Sequence, residues 1–197
     1  MALRLYRGVE FVKDYMCQYL NHIFLAEEKG LVKFWDGTRK AIFSHKPYVV
    51  KKNSWDFRSL PGILIGSSGG NLEWLTFTND IVKEECTSTE HWREYGGHIN
   101  LTMEFEIIAT TLEERDKLTD IVAIYLSGPT AKDYFEYHDI KVSKGVSIRD
   151  NGEMYSPTID FPVYKTTVSL DTTSTWRDRE EFNEPRLIDI IVELDDL

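Results

Sequence analysis

The sequence predicts an α+β fold, in which a mostly antiparallel sheet carries two main helices and residues 1–197 form a single domain. Three observations predict this class. Long segments alternate apolar and polar residues, as strands with one buried face do. Two other segments repeat apolar residues at helical spacing. The 197-residue chain shows no internal repeat or linker, and it is long enough to bury a core of its own.

The first helix is predicted over residues 9–28, and Gly30 is expected to stop it. Its apolar residues recur three and four positions apart, which is typical of a helix with one buried face. They are Val12, Met16, Tyr19 and Ile23. Residues 30–57 are polar and aromatic, and the turn signal Asp36–Gly37 predicts a hairpin followed by a loop there.

Residues 62–77, GILIGSSGGNLEWLTF, are predicted to form a mobile or interfacial hairpin around a glycine-serine turn. Gly66, Ser68 and Gly70 also match the G-x-S-x-G nucleophile elbow, which needs a strand before the serine and a helix after it. GILI can supply the strand, but NLEWL has no helical pattern. A small serine hydrolase that uses Ser68 stays an alternative. Its candidate histidines would be His91, His98 and His138.

Alternation of apolar and polar residues predicts the main strands. The pattern is strict from Ile99 to Ile107 and recurs from Phe161 to Asp171. Short strands are expected at Ile140–Val142 and from Ser147 onward. A turn is expected at Asp150–Gly152, because Asp, Asn and Gly are typical turn residues.

A second helix is predicted two residues after the first long strand. Thr111 stands three residues before Glu114, which is the spacing of a capping box at a helix start. Glu113 and Lys117 are placed for an i,i+4 ion pair on its surface. Gly128–Pro129 is expected to end this helix.

The composition argues against several classes of function. The chain has 33 acidic and 23 basic residues, a net charge of −10 and no basic run. Such a protein gains nothing from the counterion release that drives binding to nucleic acids. No apolar run is long enough to span a bilayer, and the first residues lack a signal-peptide pattern. A protein that stays in the reducing cytosol after synthesis, without a membrane partner, is therefore expected.

Neither a disulfide framework nor a metal site is predicted from the two cysteines. Cys86 and His91 stand five residues apart, as do Cys17 and His22. A zinc site needs a second pair of ligands at compatible spacing, and neither pair has one. We expect no catalytic residues, no cofactor and no metal.

The remaining distinctive features suggest contacts with other proteins. Five tryptophans lie in segments that are predicted to be rich in turns, and aromatic residues outside the core often mark interfaces. Residues 178–197 are predicted as a C-terminal interaction arm, whose apolar RLIDIIVEL either adds a strand to a neighbour or completes its own sheet. The candidate interface residues are Ser67, Ser68, Asn71, Trp176, Leu187, Ile188, Ile190, Ile191 and Val192.

The order of these signals resembles that of the tail-terminator and neck (tail-completion) proteins of tailed bacteriophages. The resemblance lies in the first helix, in the strand-helix INLTMEFEIIATTLEERDKLTDIVAIYL, and in the turn-strand GVSIRDNGEMYSPTIDFPVYKTTVSLDTTSTWR with its trailing extension. Outside the first helix it covers residues 96–177. It is a likeness in the order of elements, without a residue-level motif.

The resemblance implies a structural virion protein without catalytic residues, which is assembled in the host cytoplasm. It would form a homo-oligomeric ring, expected to be a hexamer, that caps the tail tube and joins it to the head-side connector. In a contractile phage it would also contact the tail sheath. DNA would pass through without specific binding, and the acidic excess would repel the phosphate backbone. Another virion connector, or a baseplate component with a similar α+β core, is the alternative.

Overall fold

The computed structural model describes residues 4–6, 8–26, 31–33, 39–41, 46–52, 60–74, 83–86, 91–143, 145–154 and 162–182. Within them, the helices are α1 (Val9–Ala26), α2 (Leu112–Ser127) and α3 (Pro129–Tyr137). The strands are β1 (Arg4–Tyr6), β2 (Leu31–Lys33), β3 (Arg39–Ala41), β4 (Tyr48–Lys51), β5 (Gly62–Trp74), β6 (Lys83–Cys86), β7 (His91–Ala109), β8 (Ile140–Val142), β9 (Ser147–Met154) and β10 (Val163–Phe182). The predicted α+β class with a mostly antiparallel sheet is confirmed.

Two long antiparallel strands, β7 and β10, form the centre of the main sheet. They pair from Tyr164 opposite Ala109 to Phe182 opposite His91. The other edge of β10 pairs in turn with β9, β8 and β1, while the other edge of β7 pairs with β5 and β6. β4 pairs with β5 in parallel. β2 and β3 pair separately, which confirms the predicted hairpin, although Asp36–Gly37 lies outside the described residues.

Alternation along β7 gives the main sheet two different faces. One face, here called the helix face, joins residues of α1, α2 and α3 in a single buried cluster. The β7 residues on it are Ile99, Leu101, Met103, Phe105 and Ile107. The opposite face, here called the polar face, carries the side chains between them. Those β7 residues are Asn100, Thr102, Glu104 and Glu106.

Helix α1 covers the first eighteen residues of the predicted range, and residues 27–30 lie outside the description. The four residues of its predicted apolar stripe are all buried. The Tyr19 hydroxyl donates a hydrogen bond of 3.2 Å to the carbonyl of Tyr125. Burial of this hydroxyl, with a smaller contribution from Tyr125, raises the pKa of Tyr19 to about 12. This buried hydrogen bond joins α1 to α2.

The start of α2 confirms the predicted cap. The Thr111 side chain accepts a hydrogen bond of 3.2 Å from the backbone N–H of Glu114. The predicted Glu113–Lys117 ion pair is also present. Gly128 ends α2, as expected, but Pro129 then begins α3, which the sequence reading missed. Proline suits the first helical position because its fixed φ is already helical and no N–H is needed there.

Two predicted turns are strands instead. The stretch that was predicted as a hairpin forms one continuous strand, β5, from Gly62 to Trp74, with residues 75–77 outside the description. A β-bulge between Ser67 and Gly69 accommodates Ser68. The predicted turn at Asp150–Gly152 lies within β9, with an irregular register beside it and Gly152 at a φ of 71°. Pairing with a long neighbouring strand satisfies the backbone, which outweighs the local turn preference.

The late strand is longer than predicted at its C-terminal end. β10 begins at Val163 and runs to Phe182, whereas the sequence predicted residues 161–171. Residues 178–182 of the predicted interaction arm therefore belong to β10, where they pair with residues 91–95. Residues 183–197 lie outside the described part of the chain.

Candidate functional site

A groove of about 470 Å³ crosses three strands on the polar face. Its lining comes from β5, β7 and β10, and we call it the polar groove. The lining residues are Ser68, Gly69, Gly70, Asn71, Asn100, Leu101, Thr102, Asp171, Thr172 and Thr173. Two of the predicted interface residues, Ser68 and Asn71, are exposed along it. The sheet register thus brings part of the predicted interface beside polar residues that are distant in sequence.

Cross-strand hydrogen bonds order the floor of the polar groove. Thr102 donates to the Asp171 carboxylate over 2.7 Å, and these two residues are directly opposed in the β7–β10 register. Thr173 donates to the Asn100 side chain over 2.7 Å in the next such pair. Asn71 lies opposite Asn100 on the β5 side. Side chains of this kind bind partners through hydrogen bonds rather than through charge.

Farther along the polar face, Glu106 is held between two lysines. Its carboxylate is 2.8 Å from Lys52 Nζ and 3.0 Å from Lys165 Nζ, and the residue is only 8% exposed. Burial raises the pKa of Glu106, but the hydrogen bonds and charges of the two lysines outweigh burial and hold it below its usual range. The charged form is therefore the stable one. This arrangement joins β7 to β10 and to Lys52, which follows β4.

The G-x-S-x-G match does not form a nucleophile elbow. Ser68 lies in the bulge in the middle of β5, and the residues after it continue as strand to Trp74. The elbow geometry requires a sharp turn into a helix at the serine. Two of the candidate histidines do not lie beside Ser68. His98 is on β7 opposite Glu73. His138 follows α3, and the centroid of its ring is 3.9 Å from that of the Tyr15 ring. His91 lies on β7, and its side chain is outside the description.

Trp176 is part of the chain's own core. It is 5% exposed, and its indole N–H donates a hydrogen bond of 3.2 Å to the carbonyl of Glu73. The indole reaches across Gly97, where a Cβ would lie only 2.5 Å from Trp176 Nε1. The absence of a side chain at Gly97 is what allows this contact.

The tryptophans do not follow the predicted distribution. Trp74, Trp92 and Trp176 lie in the long strands β5, β7 and β10 rather than in turns. Trp35 and Trp55 lie outside the described residues. Of the remaining predicted interface residues, Ser67 is half-buried opposite Met103, and the C-terminal set Leu187, Ile188, Ile190, Ile191 and Val192 lies outside the description.

A second cavity, of about 420 Å³, lies where the end of α3 meets β7, β8 and β10. It is lined by His98, Glu136, Asp139, Lys141, Thr173, Ser174 and Thr175. Ser174 is 2% exposed, and neither its hydroxyl nor Nδ1 of His98 has a hydrogen-bond partner within the described structure. Buried polar atoms without a protein partner are commonly hydrogen-bonded to water.

Among the described residues, no group of three or more potential metal ligands comes together. Cys86 and His91 are opposed in the β6–β7 register, and their side chains lie outside the description. Cys17 is a free thiol on α1, and burial raises its pKa. Among the described helices, none combines the length and apolar character that crossing a bilayer requires.

No protein-family model and no curated protein matches this sequence. The function is therefore inferred from the residues and from their placement in the fold.

Sequence reasoning missed the residues that organise the polar face. Lys52, Glu106 and Lys165 come from three separate parts of the chain, and the sequence offers no spacing that connects them. Thr102 and Asp171 are 69 residues apart, and only the β7–β10 register brings them together. The available signal was the alternation itself, which placed Glu106 and Thr102 on the face away from the apolar core.

Proposed function

We propose that this chain is a structural protein of a bacteriophage virion. In this role it forms a ring at the head-proximal end of the tail, where it caps the tail tube and joins it to the head-side connector. The whole chain acts as one domain, with α1 and α2 as the main helices on one face of the sheet. The order of elements on which the resemblance to tail-terminator and neck proteins rests is compatible with the observed fold.

The observation that carries the proposal is the outer edge of β5. β4 pairs with only four of its residues, Gly62–Ile65, so Gly66–Trp74 has no outer neighbour within the described structure. Residues 68–73 are all exposed along this edge. A ring subunit needs a surface that the next subunit can take, and an unpaired strand edge is such a surface.

The charge of the chain supports the same role. A net charge of −10 creates a field that repels the phosphate backbone, so DNA can move past the protein without being held. The side chains of the polar groove suit hydrogen bonding, and Asp171 is the only ionisable residue among them. Both features suit a protein whose partners are other proteins rather than nucleic acid.

The test is to measure the mass of the purified chain over a range of concentrations and to image it by negative-stain electron microscopy. The protein is then mixed with tail tubes from the phage that encodes it. Rings, or a cap on one end of each tube, are the expected result. A chain that stays monomeric at every concentration and leaves tube ends bare would contradict the proposal. Binding to the baseplate instead would assign it to another virion component.

A matched control tests the hydrolase alternative. A fluorophosphonate probe is expected to leave the protein unlabelled, because Ser68 lies in a strand bulge rather than at an elbow. Labelling that disappears in Ser68→Ala would instead assign a serine nucleophile to this site. The Ser67→Ala variant serves as the control, since Ser67 is the neighbouring residue on the opposite face.

A further inference from the structure

Within the described residues, the edge of β5 that has no outer neighbour carries few of the features that usually protect a strand edge, although the bulge at Ser68 interrupts its first part. Between Gly66 and Trp74 there is no lysine, arginine or proline, and Glu73 is the one charged residue. Leu72 is 54% exposed, and its position opposite Ile99 places it at the margin of the helix face. Native proteins normally protect exposed edges with charges, prolines or short strands. After the bulge, the six residues Gly69–Trp74 pair regularly with β7 and carry one charge, so their outer edge is suited to accept another strand.

The edge formed by β9, on the other side of the sheet, is protected. It carries Arg149, Asp150 and Glu153, and Arg115 of α2 donates to the Asp150 carboxylate over 2.7 Å. Asn151 donates to the Thr167 hydroxyl over 2.6 Å. The irregular register and the positive φ of Gly152 bend this edge away from regular pairing. The two edges thus differ in their readiness to accept a strand.

The chain itself contains a segment that fits the β5 edge. After β10, the sequence RLIDIIVEL is rich in β-branched residues, which favour strands. Alternate positions are all apolar on one side, and they are Ile188, Ile190, Val192 and Leu194. The positions between them include Asp189 and Glu193. As a strand, this segment would cover Leu72 with its apolar side and leave its two acids on the polar face.

The distance from Phe182 to the β5 edge decides whether this segment can pair with that edge in its own chain. Trp74 and Trp176 both lie opposite Gly97, so Phe182 is six residues, or about 20 Å, beyond the level of Trp74. A strand added beside β5 would lie three strand spacings from β10, which is about 14 Å sideways at about 4.8 Å per spacing. The straight path of about 24 Å uses about seven extended residues. In its own chain, residues 183–189 would be spent before the edge is reached.

We propose that Leu187–Val192 of one subunit adds as a strand to the Gly66–Trp74 edge of β5 in the next subunit. The inference rests on the proposed function, because it names the contact that closes the ring. Repeated from subunit to subunit, this head-to-tail contact forms a closed ring when the rotation closes. Main-chain hydrogen bonds provide the affinity, and burial of Leu72 against the apolar side fixes the register.

Disulfide trapping between two different chains tests this contact. Both chains carry Cys17→Ser and Cys86→Ser; one adds Leu72→Cys, and the other adds a single cysteine at each position from 188 to 193 in turn. Heterodimer yield is expected to alternate, with the one even-numbered position directly opposite Leu72 giving at least about ten times the yield of 189, 191 and 193, because strand side chains alternate between faces and a disulfide needs Cα atoms within about 7 Å. Equal yields at all six positions would overturn the proposal.

Two controls complete the experiment. Ile148→Cys, which is 55% exposed on the protected β9 edge, replaces Leu72→Cys and is expected to give only background heterodimer. A single chain with both Leu72→Cys and Val192→Cys, the position that the seven-residue path would bring beside Leu72, reports pairing within one chain, and an intramolecular disulfide without heterodimer would overturn the proposal.

A truncation separates this inference from the proposed function. The chain that ends at Phe182 is expected to keep its circular dichroism spectrum and to lose the ring, while the full chain keeps it. A truncated chain that still forms rings would overturn the strand addition and leave the ring intact. A full chain that forms no ring but gives the alternating heterodimer pattern would support the strand addition and contradict the ring.

Discussion

On the helix face of the sheet, β7 contributes five side chains to a continuous apolar cluster, whereas its alternate side chains form hydrogen bonds and ion pairs on the polar face. The same strand therefore serves two environments at adjacent residues. The free energy gained by burying apolar side chains depends on the area removed from water and on close packing. Polar pairs near the surface exchange water contacts for protein contacts, so their net stabilisation is small. Stability is therefore expected to be concentrated on the helix face, with a smaller contribution from the buried cluster of Leu64, Ile108 and Val163 on the polar face.

The largest difference is expected between two neighbouring residues of β7. Phe105 is fully buried on the helix face, and Phe105→Ala should lower the free energy of unfolding by about 3–5 kcal/mol, because it leaves a cavity. Glu104→Ala, on the polar face, should change it by less than about 0.5 kcal/mol. Urea unfolding of both variants measures this. Should Phe105→Ala not fold, Phe105→Leu is expected to lose about 1.5 kcal/mol. Equal losses at the two positions would contradict the comparison.

The next prediction uses the same substitution at two glycines. In Gly97→Ala on the helix face, the new Cβ would lie 1.8 Å from the Glu73 carbonyl oxygen and 2.5 Å from Trp176 Nε1. The strand and the indole must then move, at a cost of about 1–3 kcal/mol. At Gly69 on the polar face, a Cβ meets no described atom within 4 Å. Gly69→Ala should be neutral or stabilising by up to about 1 kcal/mol.

Tryptophan fluorescence during thermal unfolding can check this pair, because Gly97→Ala should also perturb the environment of Trp176. The comparison would fail if Gly69→Ala destabilised the protein as much as Gly97→Ala does.

The Glu106 ion pairs are the exception on the polar face, since this carboxylate is buried. Glu106→Gln should lower the free energy of unfolding by about 1.5–3 kcal/mol at neutral pH, because two charge-assisted hydrogen bonds lose their acceptor charge. The pKa of Glu106 is depressed in the folded protein. Its contribution is therefore complete above the ordinary pKa of a glutamate and is lost as the pH falls through the lower folded pKa.

Unfolding measured at several values between about pH 6 and pH 3 tests this sign. The stability of the unsubstituted protein should fall more steeply with acid than that of Glu106→Gln. Glu104→Gln, two residues along the same face, is the control and should keep the steep dependence. Identical pH profiles for the unsubstituted protein and Glu106→Gln would show that the two lysines do not hold the carboxylate charged.

Local patterns predicted the elements whose periodicity is uninterrupted. The alternation from Ile99 to Ile107, the cap at Thr111 and the stripe of α1 each involve residues close in sequence, and the structure confirms them. The β5 strand was missed for a physical reason. Its bulge at Ser68 shifts the alternation, so even-numbered residues face the polar side before the bulge and odd-numbered ones after it. No single period fits such a strand.

The candidate site was predictable only in part, because it is built from long-range register. Ser68 and Asn71, which the sequence suggested as interface residues, are exposed, but they lie in a strand rather than in the predicted hairpin. The Trp176 contact with Glu73 connects residues 103 positions apart, which no local pattern contains. Likewise, an unpaired strand edge is a property of the sheet order and cannot be derived from the composition of one strand.

The smallest expected effect comes from one chemical change made on both faces. Thr102 and Thr172 both donate side-chain hydrogen bonds, Thr102 to the exposed Asp171 carboxylate and Thr172 to the buried carbonyl of Leu101 over 3.2 Å. Thr102→Val should change the free energy of unfolding by less than about 0.5 kcal/mol, since water replaces the lost donor. Thr172→Val should lose about 1 kcal/mol, because the lost hydrogen bond is buried.

Urea titrations of both threonine variants measure the two changes in the free energy of unfolding. They are repeated until the experimental error is smaller than the expected difference between the variants. If Thr102→Val proved the more damaging, the hydrogen bonds of the polar groove would have to contribute to folding as the core does. If it is neutral, as expected, these polar residues are free to change without loss of the fold. Their hydrogen-bonding groups would then be available to a protein partner.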